Sequence, residues 1–273
     1  MDVLLGISER TLKDLADKSV EKRKQAAAEL HEIIEKFMNN NQYDVISTRI
    51  DMFSAMVDAE SKQGGGTHQE RDNPNRRRSG LYGLTAIAGT LYQSRKVECL
   101  EKILPPIIKA LNDKDHKVQL AACDAMFNIV KTWKEATLRY RGFLEIFDNI
   151  VGLIGTTLSN EVKDYSKKVD DLLKDVVYRS LDKGLVFDLD QLIDAICAKL
   201  RACKNQDGQM VLIKWIETLH SITNVNILKC VPRFLEKLFS IVEYSQNTDK
   251  QPIKNEVAKK SLEQLGLFLE DFR

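Results

Sequence analysis

The chain has almost no net charge: 41 basic residues balance 40 acidic ones among 273, leaving +1 at pH 7. A general nucleic-acid or polyanion binder carries a clear basic excess, so that class is set aside, while a local basic patch stays open. Apolar runs fall far short of the ~20 residues that cross a bilayer as a helix. The opening MDVLLGISERTLKD lacks the basic start and long apolar core of a secretory signal. Cys99, Cys123, Cys197, Cys203 and Cys230 are odd in number and widely spread, which fits reduced thiols in a cytosolic protein. No CxxC, HExxH, GxGxxG or GxxxxGK[ST] occurs, and His31, His68, His116 and His220 are scattered. No catalytic constellation can be assembled, so an enzyme is not expected and no catalytic, cofactor or metal residue is assigned. Period-two alternation is also missing over any useful length, which excludes a sheet.

What is present is helical periodicity, clearest from Ile103 to Lys131. Ile103, Leu104, Ile107, Ile108 and Leu111 make one apolar stripe. Val118, Leu120, Ala121, Ala125, Met126, Ile129 and Val130 make a second. Asn112, Asp113 and Asp115 lie between, where short acceptors cap a helix. Pro105 and Pro106 are expected in the first turn of the first helix, where a missing N–H costs little. Early proline, an Asp-rich turn, then small residues in the second helix form the pattern of a HEAT repeat. Such a unit needs neighbours on both sides to bury its faces. Comparable pairs recur about every 40 to 47 residues. They include Phe143 to Leu158 with Val162 to Leu181, Leu189 to Ala202 with Gln209 to Ile222, and Ile227 to Tyr244 with Ile253 to Phe272. Upstream, Leu4 to Ala16 pairs with Val20 to Met38, and Tyr43 to Ala59 with Leu81 to Gln93. The expected fold is a single all-α domain over residues 1–273. It is a right-handed α-solenoid of about six HEAT/armadillo-like helix pairs.

Ser61 to Gly80 interrupts the rhythm and reads as a flexible loop insertion ending in Arg76, Arg77 and Arg78. Those arginines are a solvated loop end or, alternatively, a phosphate or phospholipid contact. Gly80, Gly83 and Gly89 near the following helix suggest close helix approach, because helical glycine costs about 1 kcal/mol against alanine. His31 beside Glu32 and Glu35 reads as a solvated helix face. Asp170, Asp171 and Asp175, interleaved with Lys167, Lys168 and Lys174, read as an outward-facing ion-pair network, with no converging element to make a metal site. Trp133 and Trp215, late on second helices, are expected to pack between repeats.

Specific motifs go further than a generic repeat. In order they are EKRKQAAAEL at Glu21 to Leu30, RRSGLYGLTA at Arg77 to Ala86 and LNDKDHKVQLAACDAMFNIVK at Leu111 to Lys131. LLKDVV at Leu172 to Val177, FDLDQLI at Phe187 to Ile193, IKWIETLHSITNVNIL at Ile213 to Leu228 and VPRFLEKLF at Val231 to Phe239 follow. Through them the chain resembles the N-terminal HEAT-repeat region of the ArPIKfyve family, the vacuole-morphology scaffolds of the phosphatidylinositol 3-phosphate 5-kinase complex. The resemblance implies a non-catalytic scaffold that binds a PIKfyve-type lipid kinase, supports phosphatidylinositol 3,5-bisphosphate synthesis, and sits in the cytoplasm, peripheral on endosomal and vacuolar membranes. It implies no cofactor and no nucleic acid. In the family, a phosphoinositide phosphatase and further scaffold copies are contacted by a C-terminal part that has no counterpart here. The stretch from Gly64 to Asn75 is longer than is usual, and Gln119 stands where arginine is common. The region resembling Arg77 to Arg179 is the family's kinase-binding part. Its candidate contacts are Asn112, Asp113, Asp115, Asn128, Lys131, Asp170, Lys174 and Asp175. The competing readings are a generic HEAT adaptor of transport or phosphatase assembly, and a lipid-binding module using Arg76 to Arg78.

Overall fold

The computed structural model describes residues 6–58, 73–185, 187–223, 227–248 and 255–271. Among them are twelve α-helices and no strand. They are α1 (Glu9–Asp14), α2 (Val20–Asn39), α3 (Tyr43–Val57), α4 (Pro74–Leu91), α5 (Leu100–Ala110), α6 (His116–Arg139), α7 (Phe143–Thr156), α8 (Asn160–Asp182), α9 (Leu189–Ala202), α10 (Gln206–His220), α11 (Val231–Thr248) and α12 (Glu256–Asp271). Short side chains start many of them: Ser8, Asn73, Asp115, Asp188 and Asn205 each accept a backbone N–H from the first turn of the following helix.

The chain divides into two compact units, Met1–Tyr140 with Ser159–Val169, and Arg141–Leu158 with Asp170–Arg273. Each is an α-solenoid segment. In the first, α2 packs on α4 and α4 on α6, while α3 packs on α5, so these helices meet both their own partners and their equivalents in the next pair. In the second, α7 meets α9 and α10, α9 meets α11, and α10 meets α12. The cores follow the predicted stripes: Ile103, Leu104, Ile107 and Ile108 on α5, and Val118, Ala121, Ala125, Met126 and Ile129 on α6, are buried. Trp133 and Trp215 pack as expected. The Trp133 indole N–H donates to the Ala88 carbonyl at 3.1 Å, with Tyr92 edge-on to its ring, and Phe147 lies edge-on to Trp215.

Several boundaries and environments differ from the expectation. The loop insertion was expected to run to Gly80, but α4 begins at Pro74, because the Asn73 side chain caps it and Pro74 pre-sets the first turn. Residues 61–72 of that loop lie outside the described residues. Pro105 and Pro106 lie inside α5 rather than in its first turn, since a 3-10 turn at Val97–Cys99 feeds the helix three residues early. Two ladder hydrogen bonds therefore cannot form there. His31 is not a free solvated side chain; its Nδ1 lies 2.8 Å from Oγ1 of the buried Thr90, joining α2 to α4.

Gly80 and Gly83 are where α3 and α4 touch. A Cβ at Gly80 would come within 2.7 Å of the Phe53 carbonyl oxygen, and one at Gly83 would collide with the buried Phe53 ring. At Gly89 nothing lies within 4 Å. Gly83→Ala is expected to destabilise by about 1–3 kcal/mol through overpacking. Gly89→Ala should instead stabilise by up to ~1 kcal/mol through helix propensity. Urea midpoints moving the same way for both would remove the close-approach explanation.

Cys123 is buried on α6, and burial pushes its thiol up to about 11, with the Ser166 hydroxyl at 3.4 Å offsetting only part. The folded state keeps this proton from the free-thiol range, near ~8.5, up to about 11, whereas the unfolded chain loses it. Stability from this group is therefore complete below that window and falls through it as pH rises, by roughly 1.4 kcal/mol per unit. Urea unfolding at about pH 8 and about pH 10.5 should show a larger loss for the unmodified chain than for Cys123→Ala. Equal losses would exclude Cys123 as the cause.

Candidate partner-binding surface

The turn between α5 and α6 is tied to α4 from inside. Arg77, only 1% exposed, directs its guanidinium at Asp113: Nε lies 2.8 Å from Oδ2, and Nη2 donates to Oδ1 at 3.1 Å. The same Oδ1 accepts the Asp115 backbone N–H at 2.8 Å. Asp115 in turn caps α6 by accepting the Lys117 N–H at 2.8 Å. A planar guanidinium against a carboxylate fixes both partners in distance and orientation. Arg77 thus holds the turn that presents exposed Asn112.

Beyond the turn, the second helices of the first unit carry a continuous polar strip. The Arg23 guanidinium on α2 lies over the Tyr82 ring of α4, 5.8 Å from its centroid. On α6, the Asp124 Oδ1 accepts the Tyr165 hydroxyl of α8 at 3.3 Å. Asn128 donates to the Asp124 carbonyl at 2.9 Å and to its carboxylate at 3.3 Å. Burial raises the Asp124 carboxyl above its ordinary range, opposed by the Tyr165 hydrogen bond and the charge of Arg23. Lys168 lies 4.7 Å from the centroid of the Tyr165 ring.

In the second unit the acidic cluster is not the expected outward-facing network. Asp170 is 1% exposed, accepts the Trp215 indole N–H at 2.7 Å, and meets the Lys174 ammonium at 2.7 Å. Burial disfavours the charged Lys174, but Asp170 and Asp171 outweigh it and raise its pKa. Asp171 joins from the surface, 3.0 Å from the Lys174 ammonium. Asp171 and Asp175 are exposed and paired as expected, Asp175 with Arg179 at 2.7 Å.

Of the candidate contacts, then, Asn112, Asn128, Lys131 and Asp175 are exposed and Asp115 is half-exposed at a cap. Asp113, Asp170 and Lys174 point into interior pairs. Sequence reasoning missed Tyr82, Asp124 and Tyr165 as members of this surface, and Arg77 as the buried residue that supports its turn. Arg77 and Tyr82 lie on α4, Asp124 on α6 and Tyr165 on α8, and only stacking brings the three helices together. The one local signal was the spacing of Asp124 and Asn128, a single turn apart on α6. Among the described residues, no three His, Cys, Asp or Glu side chains converge as a metal site, and no helix is long and apolar enough to cross a membrane.

Stacked helix pairs with a polar second-helix surface define a helical-repeat binding scaffold. Residues 75–175, which hold the Arg77–Asp113 pair, the part of the strip on α4, α6 and α8, and the Asp170–Lys174 pair, match the Vacuolar 14 Fab1-binding region. The Protein VAC14 homolog of Arabidopsis thaliana is 30% identical over 250 residues, covering 92% of this chain and 31% of that protein. Vacuole morphology and inheritance protein 14 of Saccharomyces cerevisiae is 28% identical over 264 residues, covering 84% and 28%. The Schizosaccharomyces pombe VAC14 homolog is 26% identical over 262 residues, covering 84% and 30%. These matches support a VAC14-type protein, and the chain spans less than a third of the length of these relatives.

Proposed function

We propose that this chain is a non-catalytic scaffold segment that binds a PIKfyve-type (Fab1) phosphatidylinositol 3-phosphate 5-kinase. On this reading it supports phosphatidylinositol 3,5-bisphosphate synthesis from the cytoplasmic side of endosomal and vacuolar membranes, with peripheral membrane contact at most. The observation that carries this is the match of residues 75–175 to a Fab1-binding region. Asn112, Asp115, Asn128, Lys131 and Asp175 lie within that region and present polar groups to solvent or at a helix cap. Asp113, Asp170 and Lys174 act one step back, as positioning residues for the turn and for α8. A phosphoinositide phosphatase and further scaffold copies belong to the proposal for the longer protein.

The test is co-isolation of the kinase with the chain as bait. Lys131→Glu combined with Asp175→Lys changes only exposed charges, so circular dichroism should be unchanged. Kinase recovery is expected to fall about tenfold, equivalent to ~1.4 kcal/mol. Undiminished recovery by the folded variant would move the contact elsewhere. Recovery of transport cargo or a protein phosphatase in place of the kinase would favour the generic adaptor.

A further inference from the structure

We propose that a groove in the first unit seats an acidic, amphipathic helical segment of the kinase. This rests on the kinase-binding reading above and adds to it the chemistry of the segment. The groove has a volume of about 1170 Å³ and is walled by α1, α3, α4 and α6. That exceeds the ~300–1,000 Å³ of small-molecule clefts. Its floor is apolar, formed by Ala16, Met52, Met56, Leu120 and Ala121. Its rim is cationic, carrying Lys13, Lys18, Arg76, Arg78 and Lys117.

Two acids also line it, against the five cations of the rim. Asp17 is held by the Ser19 N–H at 2.8 Å and by Lys22 at 3.2 Å, and Glu9 sits in the first turn of α1. Lys13, Lys18, Arg76 and Lys117 have no carboxylate partner among the described residues. A chain with net charge +1 has thus gathered around one apolar trough cations that have no carboxylate partner among the described residues. The complement is a segment with an apolar stripe flanked by carboxylates.

The walls favour a helix. They are mainly helical, together with the turn at residues 16–18, and no strand edge exists among the described residues, so addition of an extended peptide to a sheet is not available. Helix-in-groove docking, with anchors three and four residues apart, remains. An anionic bilayer fits less well. Ala16, Met56 and Ala121 are recessed below the rim, where a flat headgroup surface would not reach them. Methionines, flexible at the floor, let apolar anchors of a helix seat without exact shape matching.

The experiment places the photo-crosslinker p-benzoylphenylalanine at half-buried Leu120, or in a second variant at Met52, co-isolates the kinase, irradiates, and identifies the attached peptide by mass spectrometry. The expected adduct is a kinase peptide with apolar residues at helical spacing and a net negative charge. Arg76→Glu with Lys117→Glu should lower both adduct and kinase recovery about tenfold and flatten the salt dependence of recovery, with circular dichroism unchanged. Kinase recovery without an acidic adduct, or unchanged by the charge reversal, would sink the groove proposal while leaving the kinase-binding reading intact. So would adducts to residues 59–72 of the same chain or to a second copy. Binding to vesicles of phosphatidylserine and phosphoinositide that the charge reversal abolishes, with kinase recovery unchanged, would assign the groove to a bilayer. No kinase recovery by the unmodified chain would overturn both readings together.

Discussion

Asp170→Lys is expected to unfold the second unit. The carboxylate it removes is buried, receives the Trp215 indole N–H at 2.7 Å, and faces the Lys174 ammonium at 2.7 Å. A lysine cannot accept a hydrogen bond, so the fully buried Trp215 N–H is stranded, at about 1–3 kcal/mol. Breaking a buried pair costs a further ~3–5 kcal/mol, and here the newcomer also repels the cation it replaces the partner of. The sum reaches the roughly 5–15 kcal/mol that a whole domain has available. Trp215 reports on the outcome directly. In a Trp133→Phe background, its emission should move to that of a solvated indole in the absence of denaturant. Asp170→Asn is the informative companion, since it keeps an acceptor for Trp215 and removes only the charge, so it should fold with reduced stability. Asp175→Lys, exposed on the same helix, should stay within about 1 kcal/mol of the unmodified chain. Near-normal urea unfolding of Asp170→Lys would mean that the site opens to water more readily than its burial indicates.

This contrast marks where the sequence is legible. Helix pairing was readable because it depends on spacing within one segment: Leu189 to Ala202 is helical over the span its periodicity predicts, and Asp115 caps α6 as its position before a Val-Ala stripe requires. The close approach at Gly83 was also readable, because glycine in a helix interior needs a reason. Asp170 and Lys174 were not. An acid four residues before a lysine looks the same on a solvated face and in an interior, and the deciding neighbour, Trp215, is 45 residues away. Arg77 failed for a similar reason. It follows a glycine-rich, charged stretch that reads as loop, yet its partner Asp113 lies 36 residues on. The candidate surface inherits this limit: the Tyr165 hydroxyl reaches Asp124, and Asp124 acts on Tyr82 through its charge, only after α4, α6 and α8 are stacked.

Arg77→Ala is expected to be the most damaging single change in the first unit. The arginine is 1% exposed, so its loss leaves a void the size of a long side chain and an Asp113 carboxylate without its counter-ion. Removing one member of a buried pair costs about 3–5 kcal/mol. For a unit of this size that corresponds to a fall in melting temperature of roughly 6–20 °C. Arg77→Lys should recover little, because a single ammonium cannot bridge both carboxylate oxygens. Asp113→Ala also breaks the pair, and it removes the acceptor for the Asp115 N–H as well. The double variant should therefore lose much less than the sum of the two single losses, by at least ~1 kcal/mol. Strict additivity would show that the two side chains do not act as a unit. The functional consequence follows from the same geometry. Arg77 never reaches the surface, but it fixes the turn that carries Asn112 and starts α6. A folded Arg77→Lys variant should therefore bind the kinase less well than the unmodified chain while its helicity is retained. If such a variant kept full kinase recovery, the contact would lie away from the α5–α6 turn, along the second-helix strip or in the groove beneath it.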